Sequence, residues 1–148
     1  MKFVIQRVKN ASVEVATKEV GKIKQGFLVL IGVTHTDTEQ TADKLIKKML
    51  NLRIFKDEND KMNLSLKDVN AELLLVSQFT LYADCKGGNR PSFTNSAKFD
   101  VAKKMYEYII DECQKTGIKT ETGIFGADMK VNLLNDGPVT IILDSDEI

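Results

Sequence analysis

The stretch GFLVLIGV, at residues 26–33, decides the fold that this sequence predicts. It is apolar at almost every position, a pattern typical of a central strand that is covered on both faces. The stretch ELLLV, at residues 72–76, has the same character. We therefore expect two buried strands at the centre of a sheet.

Strands are also expected towards both ends of the chain, where residues alternate in polarity or carry β-branched side chains. The predicted strands are residues 2–8, 11–16, 20–24, 129–134 and 139–143. Lys9 and Asn10 suit a turn between the first two, and Asn135–Asp136–Gly137–Pro138 separates the last two.

Two helices are predicted between these strands. The first begins near Thr36, because Thr36 and Glu39 have the spacing of a capping box. An apolar stripe follows at three- and four-residue steps, consisting of Ala42, Leu45, Ile46, Met49 and Leu50. The second helix spans roughly residues 98–115, with Gly117 as its stop. Its apolar side consists of Ala102, Met105, Tyr106, Ile109 and Cys113. The fold class is therefore α/β of the α+β type, a mostly antiparallel, barrel-like sheet with two inserted helices in one domain.

The composition excludes several classes of protein. The chain has 148 residues, with 21 Lys+Arg and 21 Asp+Glu, and its formal net charge is zero. It therefore lacks the positive charge of a nonspecific nucleic-acid binder. One His and two Cys are too few for a closed zinc site or a disulfide framework. The first 15 residues carry charges too often for a signal peptide or a membrane span. We expect a cytoplasmic protein with no metal and no cofactor.

Two polar features each have a functional and an ordinary explanation. His35 lies between a predicted strand and a helix, where it is a general base or simply a loop residue; nothing nearby completes a nucleophile–base pair. Gly87–Gly88 lies in a predicted ordered loop, residues 84–98, and lacks the Gly-Lys-Ser/Thr ending of a phosphate loop. Lys86 and Arg90 face solvent there or, if a polyanion binds, contact its phosphates.

The run Ser77–Gln78–Phe79–Thr80–Leu81 places three hydrogen-bonding side chains at the end of an apolar strand. Such strand ends support functional sites, although the hydroxyls also have an ordinary use in bonding the local backbone. Thr80 as a nucleophile needs an adjacent base, and residues 73–83 contain no His, Lys or carboxylate.

The segment Asn135–Asp136–Gly137–Pro138 carries a strong turn signal, because Asp-Gly between two strand patterns is typical of a hairpin. Pro138 complicates this interpretation, since it has no N–H to donate. Glycine leaves the neighbouring carbonyl oxygens unshielded by any Cβ, so a functional turn is the alternative.

These two segments carry a resemblance to a known family. SQFTL at residues 77–81 and NDGPVT at 135–140 resemble the two signature motifs of the D-aminoacyl-tRNA deacylases, also called D-tyrosyl-tRNA deacylases. Further agreement lies at residues 5–8, 53–55, 61–63, 90–93 and 122–126, and at Met129. The resemblance covers essentially the whole chain and predicts residues 1–148 as one deacylase domain.

The resemblance implies an editing enzyme that hydrolyses the ester joining a D-amino acid to the 3′-terminal ribose of tRNA. The family is homodimeric, its Gly-Pro peptide is cis, and the loop bearing that peptide reaches into the partner subunit's active site. Carried over, Gly137 and Pro138 would aim their carbonyl oxygens where an L side chain would sit. Glycyl-tRNA has no side chain to reject and should also fit. Phe79 favours the D-specific branch over a related family that tends to carry alanine there.

The resemblance also implies roles for individual residues. Ser77, Gln78, Phe79 and Thr80 would line the catalytic pocket, Phe125 and Met129 would frame the adenine, and Arg7 would steady the cross-subunit loop. Either Thr80 attacks the ester, or the tRNA 2′-hydroxyl assists a water while backbone N–H groups stabilise the oxyanion. The missing base beside Thr80 favours the second mechanism.

Two rival interpretations stay open. One is a non-catalytic nucleic-acid-binding module of the same fold, and the other is a purely structural dimer. No DNA partner is expected, because the chain has no basic tail.

Overall fold

A computed structural model describes residues 1–148 as eight strands, two α-helices and one 3-10 helix. The strands are β1 (Lys2–Val15), β2 (Lys18–Ile23), β3 (Gly26–Gly32), β4 (Phe55–Lys56), β5 (Met62–Leu64), β6 (Glu72–Ser77), β7 (Thr120–Thr122) and β8 (Lys130–Asp144). The helices are α1 (Glu39–Leu50) and α2 (Phe99–Lys115), and the 3-10 helix is Phe79–Tyr82.

The main sheet has the order β2-β1-β3-β6-β7, and β8 pairs with β1. β1 is antiparallel to β2, β3 and β8, whereas β6 is parallel to both β3 and β7. The predicted fold class is confirmed, with a mixed sheet and two inserted helices. No helix is both long enough and apolar enough to cross a membrane.

Both faces of β3 are covered, as its apolar sequence predicts. Phe27, Val29 and Ile31 belong to the larger core cluster, which the two helices also enter. Leu28 belongs to a smaller cluster on the opposite face, against which Leu30 packs. Successive strand residues point to opposite faces, so one apolar strand serves two cores.

β1 is one continuous strand, and the predicted turn at Lys9 and Asn10 is wrong. Val8 pairs with Asn135 and Asn10 pairs with Leu134, with a register shift between the two pairs. The polar Lys9 and Asn10 are exposed on this strand. Pairing with β8 on both sides of them overrides the local turn signal.

β8 is also one strand, so the predicted hairpin turn at residues 135–138 is wrong. Both of its halves pair with β1, since Gln6 faces Thr140 and Val8 faces Asn135. Arg7 alone therefore stands opposite the four residues 136–139, which bulge out of the strand. The Asp-Gly sequence therefore lies in a bulge within one strand and not in a turn between two strands.

The first helix begins two residues later than predicted, and Thr38, rather than Thr36, caps it. The Thr38 hydroxyl accepts the Thr41 N–H at 3.3 Å, and the Thr41 hydroxyl accepts the Thr38 N–H at 3.2 Å. Thr41 thus takes the place that the sequence pattern assigned to Glu39. The predicted apolar stripe is confirmed, because Ala42, Leu45, Ile46 and Met49 are buried. The predicted polar loop at residues 56–63 contains the short β4–β5 pair.

β2 and β7, at the two ends of the main sheet, approach each other and give it a barrel-like curvature. Gly21 of β2 lies against β7, where a Cβ atom would come within 2.5 Å of the Thr122 carbonyl oxygen. The missing side chain is what allows the two strands this close.

We therefore expect Gly21→Ala to lower the free energy of unfolding by about 1–3 kcal/mol, the usual effect of overpacking. Denaturant unfolding followed by circular dichroism measures this change. Gly87→Ala is the matched control, because a Cβ at Gly87 meets nothing within 4 Å. Equal stability of the two variants would contradict the close approach of β2 to β7.

Candidate functional site

A cavity of about 560 Å³ opens beyond the carboxyl ends of β3 and β6. Such strand ends are a common place for ligands in sheets with parallel pairs. Its walls come from the strand ends, the 84–98 loop, the start of α2 and the segment before β8. The lining residues are Ile31, Val33, Val76, Ser77, Gln78, Phe79, Phe93, Ser96, Ala97, Phe99, Ala102, Tyr106, Phe125, Gly126, Ala127, Asp128, Met129 and Val131.

Ser77, Gln78 and Phe79 reach the cavity because β6 ends there. Ser77 is the last residue of β6 and pairs with Ile31. The Gln78 N–H then donates to the Ile31 carbonyl oxygen at 2.7 Å, after which the chain turns into the 3-10 helix. No side chain caps this helix, so its first N–H groups rely on other acceptors.

Thr80 is the one member of this group that does not line the cavity. It is exposed, and its hydroxyl accepts a hydrogen bond from the Gln78 side-chain amide at 2.5 Å. That amide donor is the only side-chain partner of the hydroxyl, and an amide nitrogen does not take up a proton. The structure therefore supplies no general base to Thr80.

Aromatic rings form much of the cavity wall. Phe79, 55% exposed, meets Phe93 edge to face with ring centroids 5.0 Å apart. Phe125 meets Phe99 in the same way at 5.0 Å and leans on Tyr106 at 5.7 Å. These contacts produce an apolar slot suited to a flat, stacking ligand.

The cavity contains almost no ionisable chemistry. Burial raises the pKa of the Tyr106 phenol, whose hydroxyl donates to the Leu75 carbonyl oxygen at 2.8 Å. The other ionisable lining residue, Asp128, forms an exposed ion pair with Lys130 at 3.0 Å. No three His, Cys, Asp or Glu side chains cluster to hold a metal ion. The cavity can hold a ligand, and its ionisable side chains are the hydrogen-bonded Tyr106 and the paired Asp128.

His35 has the ordinary role of a loop residue. It is exposed, and its Nε2 lies 2.7 Å from the Thr94 carbonyl oxygen. The neighbouring Thr34 hydroxyl donates to the Asn95 carbonyl oxygen at 2.6 Å. Together they fasten the 84–98 loop to the end of β3, and this loop carries Phe93 to the cavity wall.

Arg7 is the only charged residue that is buried as a whole, with 3% of its surface exposed. Its Nε donates to the Asp136 carbonyl oxygen at 3.0 Å, and its Nη1 donates to the Ile54 carbonyl oxygen. The Asp136 carboxylate lies 3.6 Å from Arg7 and 3.5 Å from Lys9. The buried guanidinium thus holds the bulge of residues 136–139 in place against β1.

Gly137 and Pro138 are exposed on this bulge and do not line the cavity of their own chain. Their peptide bond is cis. Gly137 has φ +127°, and a Cβ there would lie 2.9 Å from Arg7 Nη2. Val131, which does line the cavity, is six residues away, up to about 20 Å of strand.

The structure therefore divides the residues that the sequence singles out into two groups. Ser77, Gln78, Phe79, Phe125 and Met129 line the cavity, whereas Gly137 and Pro138 lie on the bulge that Arg7 supports. Thr80 belongs to neither group.

The sequence reading missed Phe99 as a lining residue and assigned Ala102 and Tyr106 only to the core. The three stand at helical spacing at the start of α2, which was the available signal.

Known proteins match this chain over its full length. A family model described as D-Tyr-tRNA(Tyr) deacylase matches residues 4–144. The D-aminoacyl-tRNA deacylase of Thermosipho africanus is 58% identical over 148 residues, covering 100% of this chain and 99% of that protein. The protein of the same name from Clostridium perfringens is 54% identical over 145 residues, covering 98% and 97%.

Solved structures agree with this match. One described as c-Myc DNA Unwinding Element Binding Protein is 40% identical, with a TM-score of 0.91 over 97% of this chain and 98% of that one. A probable eukaryotic D-amino acid tRNA deacylase shares the fold, with a TM-score of 0.84 at 17% identity over 96% and 97%. From the family match and the close relatives, we conclude that the chain belongs to the D-aminoacyl-tRNA deacylase family of hydrolases.

Proposed function

We propose that residues 1–148 form one deacylase domain that hydrolyses the ester of D-aminoacyl-tRNA to a free D-amino acid and tRNA. The observation that carries the proposal is the aromatic cavity at the Ser77–Phe79 strand end, in a chain of this family. The cavity volume, about 560 Å³, suits a terminal adenosine with a small acyl group. Two free thiols, Cys85 and Cys113, are in keeping with the cytoplasm, where aminoacyl-tRNA is used.

The adenine of the tRNA end would bind between Phe125 and Met129. Bases stack on aromatic side chains without a sequence preference, and a thioether packs well against a flat ring. Phe125 is supported by Phe99 and Tyr106, so its ring is already positioned. The ester would then lie towards Ser77, Gln78 and Phe79.

Hydrolysis in this cavity would depend on the substrate and on the backbone. Water attacks the ester carbonyl carbon, with the neighbouring 2′-hydroxyl of the ribose assisting it. The bond between the carbonyl carbon and the ribose 3′ oxygen then breaks. The 3′ oxygen leaves and takes up the proton that the attacking water loses. The N–H group of Phe79, at the uncapped start of the 3-10 helix, would stabilise the oxyanion.

Under this mechanism, Thr80→Ala keeps substantial deacylase activity, because the variant removes a hydroxyl and leaves the backbone N–H in place. We expect single-turnover rates on D-tyrosyl-tRNA to fall by less than the about 10²–10³-fold that one lost oxyanion donor costs. A larger loss, with the fold intact by circular dichroism, would instead support Thr80 as the nucleophile.

A homodimer is supported by the outer face of β8. β8 pairs only with β1, so its second edge is free along a 15-residue strand. The β8 side chains Leu133, Leu134 and Ile142 are 38%, 55% and 64% exposed. A long, apolar free edge is prone to aggregate unless another chain covers it. In a two-fold dimer each copy covers the other with the same surface.

The dimer would bring the bulge of one subunit to the cavity of the other. Gly137 and Pro138 project from the outer strand, and neither serves the cavity of its own chain. Their carbonyl oxygens would occupy the space that an L side chain needs, so that only D-amino acids and glycine fit. Selection would thus work by steric exclusion.

The first test is chirality. We expect the protein to release D-tyrosine from D-tyrosyl-tRNA and to leave L-tyrosyl-tRNA intact. Gly137→Ala should abolish release, since a Cβ at φ +127° strains the backbone and meets Arg7. Gly117→Ala is the control, because Gly117 also has a positive φ, +78°, but with open space around it. Equal losses in both variants would contradict the role of the bulge.

The second test asks whether the bulge acts on the partner subunit. Gly137→Ala and the cavity-filling Ala97→Trp should each be inactive alone. Mixed under subunit exchange, they should recover about a quarter of the wild-type activity, because half of the dimers are mixed and each has one intact site. No recovery, with mixed dimers verified by mass spectrometry, would place bulge and cavity in the same chain's site.

A nucleic-acid-binding module without catalysis is the alternative, since one relative of known structure is named for DNA binding. The chirality assay separates the two functions. A binding module retains the tRNA on a filter and releases neither amino acid.

A further inference from the structure

We propose that the tip of the 84–98 loop is a phosphate-binding surface for the 3′ strand of the tRNA, with Lys86 and Arg90 as its contacts. This inference rests on the proposed function, because it deepens the way in which that site takes its substrate. What carries it is the position of two unpaired cations on a loop whose base lines a cavity without Lys or Arg.

The loop is a hairpin with a defined stem. The Asp84 N–H donates to the Ser92 carbonyl oxygen at 2.7 Å, and the Ser92 N–H donates back to Asp84 at 2.8 Å. All residues of the tip, 85–91, are exposed. The base of the loop is fastened to β3 through Thr34 and His35. A fixed base and an open tip allow the tip to meet a ligand without disturbing the core.

The tip carries two positive charges and no negative one. Lys86 and Arg90 form no ion pair within 4 Å and no side-chain hydrogen bond, although other lysines such as Lys103 and Lys130 are paired. The Asp84 carboxylate at the stem accepts the backbone N–H of Lys86 at 2.9 Å, so it orders the tip without pairing either cation. The local charge of +2 stands out in a chain whose net charge is zero.

The tip is joined to the cavity wall by a short length of chain. Ser92, at the stem, directly precedes Phe93, whose ring contacts Phe79 at 5.0 Å. Arg90 is three residues from Phe93, so their Cα atoms lie within about 11 Å of each other. The cations are therefore within reach of a strand whose terminal nucleoside occupies the cavity.

A tRNA end needs such a surface outside the cavity. The cavity is lined by no Lys or Arg, so it can hold the neutral nucleoside but cannot neutralise the phosphates that follow. Arg binds phosphate through two parallel N–H bonds, and Lys binds it as a point charge. Two cations would steer a flexible single strand into the cavity and would make binding depend on salt.

The experiment compares two substrates, D-tyrosyl-tRNA and 3′-O-D-tyrosyl-adenosine, which has no phosphate. For the double variant Lys86→Gln/Arg90→Gln, we expect the ratio of kcat/KM on tRNA to kcat/KM on the adenosine ester to fall about tenfold at low salt. The slope of log kcat/KM on tRNA against log salt should become shallower by about 1.4, for two lost phosphate contacts.

Lys44→Gln/Lys48→Gln is the matched control, because both lysines are exposed on α1, unpaired and absent from the cavity wall. This variant changes the charge equally and should leave the ratio and the slope unchanged. An equal fall in both variants, or no fall in the first, would overturn the phosphate surface.

If the wild type cleaves neither substrate, the proposed function fails. The salt slope of tRNA retention on filters then decides the surface by the same comparison.

Discussion

The use of both edges of β1 is the constraint on which the rest of the structure depends. β8 occupies one edge along nearly its whole length, and β3 and β2 share the other. With both edges taken, β1 cannot lie at the border of the sheet, and the sheet curves until Gly21 meets Thr122. The same pairing pushes residues 136–139 out opposite Arg7 and leaves the far edge of β8 open. Curvature, bulge and free edge follow from one strand.

Under the proposed function, the groups that act on the ester and the charged groups that attract the tRNA lie in different parts of the molecule. The cavity is mostly apolar and nearly free of ionisable groups, whereas Lys86 and Arg90 lie on the exposed tip of the 84–98 loop. An apolar slot strengthens hydrogen bonds, and under the proposed mechanism these would run from backbone N–H groups to a developing oxyanion. The same slot would be a poor place for phosphates, which prefer the solvated rim. If the proposed phosphate surface is right, local charge rather than net charge would attract the polyanionic substrate.

Patterns along the chain were enough to predict most elements, because periodicity reflects burial directly. β3, β6 and the stripe of α1 came out correctly for that reason. The errors at Lys9–Asn10 and at residues 135–138 have a common cause. Both are polar segments that suit a turn, but strand pairing between β1 and β8, more than 120 residues apart, continues on either side of each. Local propensity carries no information about such a partner.

The candidate site likewise contains residues that the sequence pattern could predict and residues whose position it could not. The 77–79 run was visible because polar residues end an apolar strand, whereas the spacing of Phe99 with Ala102 and Tyr106 indicates only a shared helix face. That Gly137 and Pro138 stand apart from the cavity depends on the path of β8. No spacing in the sequence reveals that path.

The hydrogen bond from Tyr106 to the Leu75 carbonyl has a consequence for conformational entropy. Leu75 is fully buried in the centre of β6, so the bond ties the cavity wall to the most rigid part of the sheet. The edge-to-face rings extend that support from Tyr106 through Phe125 to Phe99. The slot keeps its shape while empty, and a ligand that enters it does not have to order these side chains. Binding energy that would otherwise be spent on ordering the cavity wall remains available for holding the ligand itself.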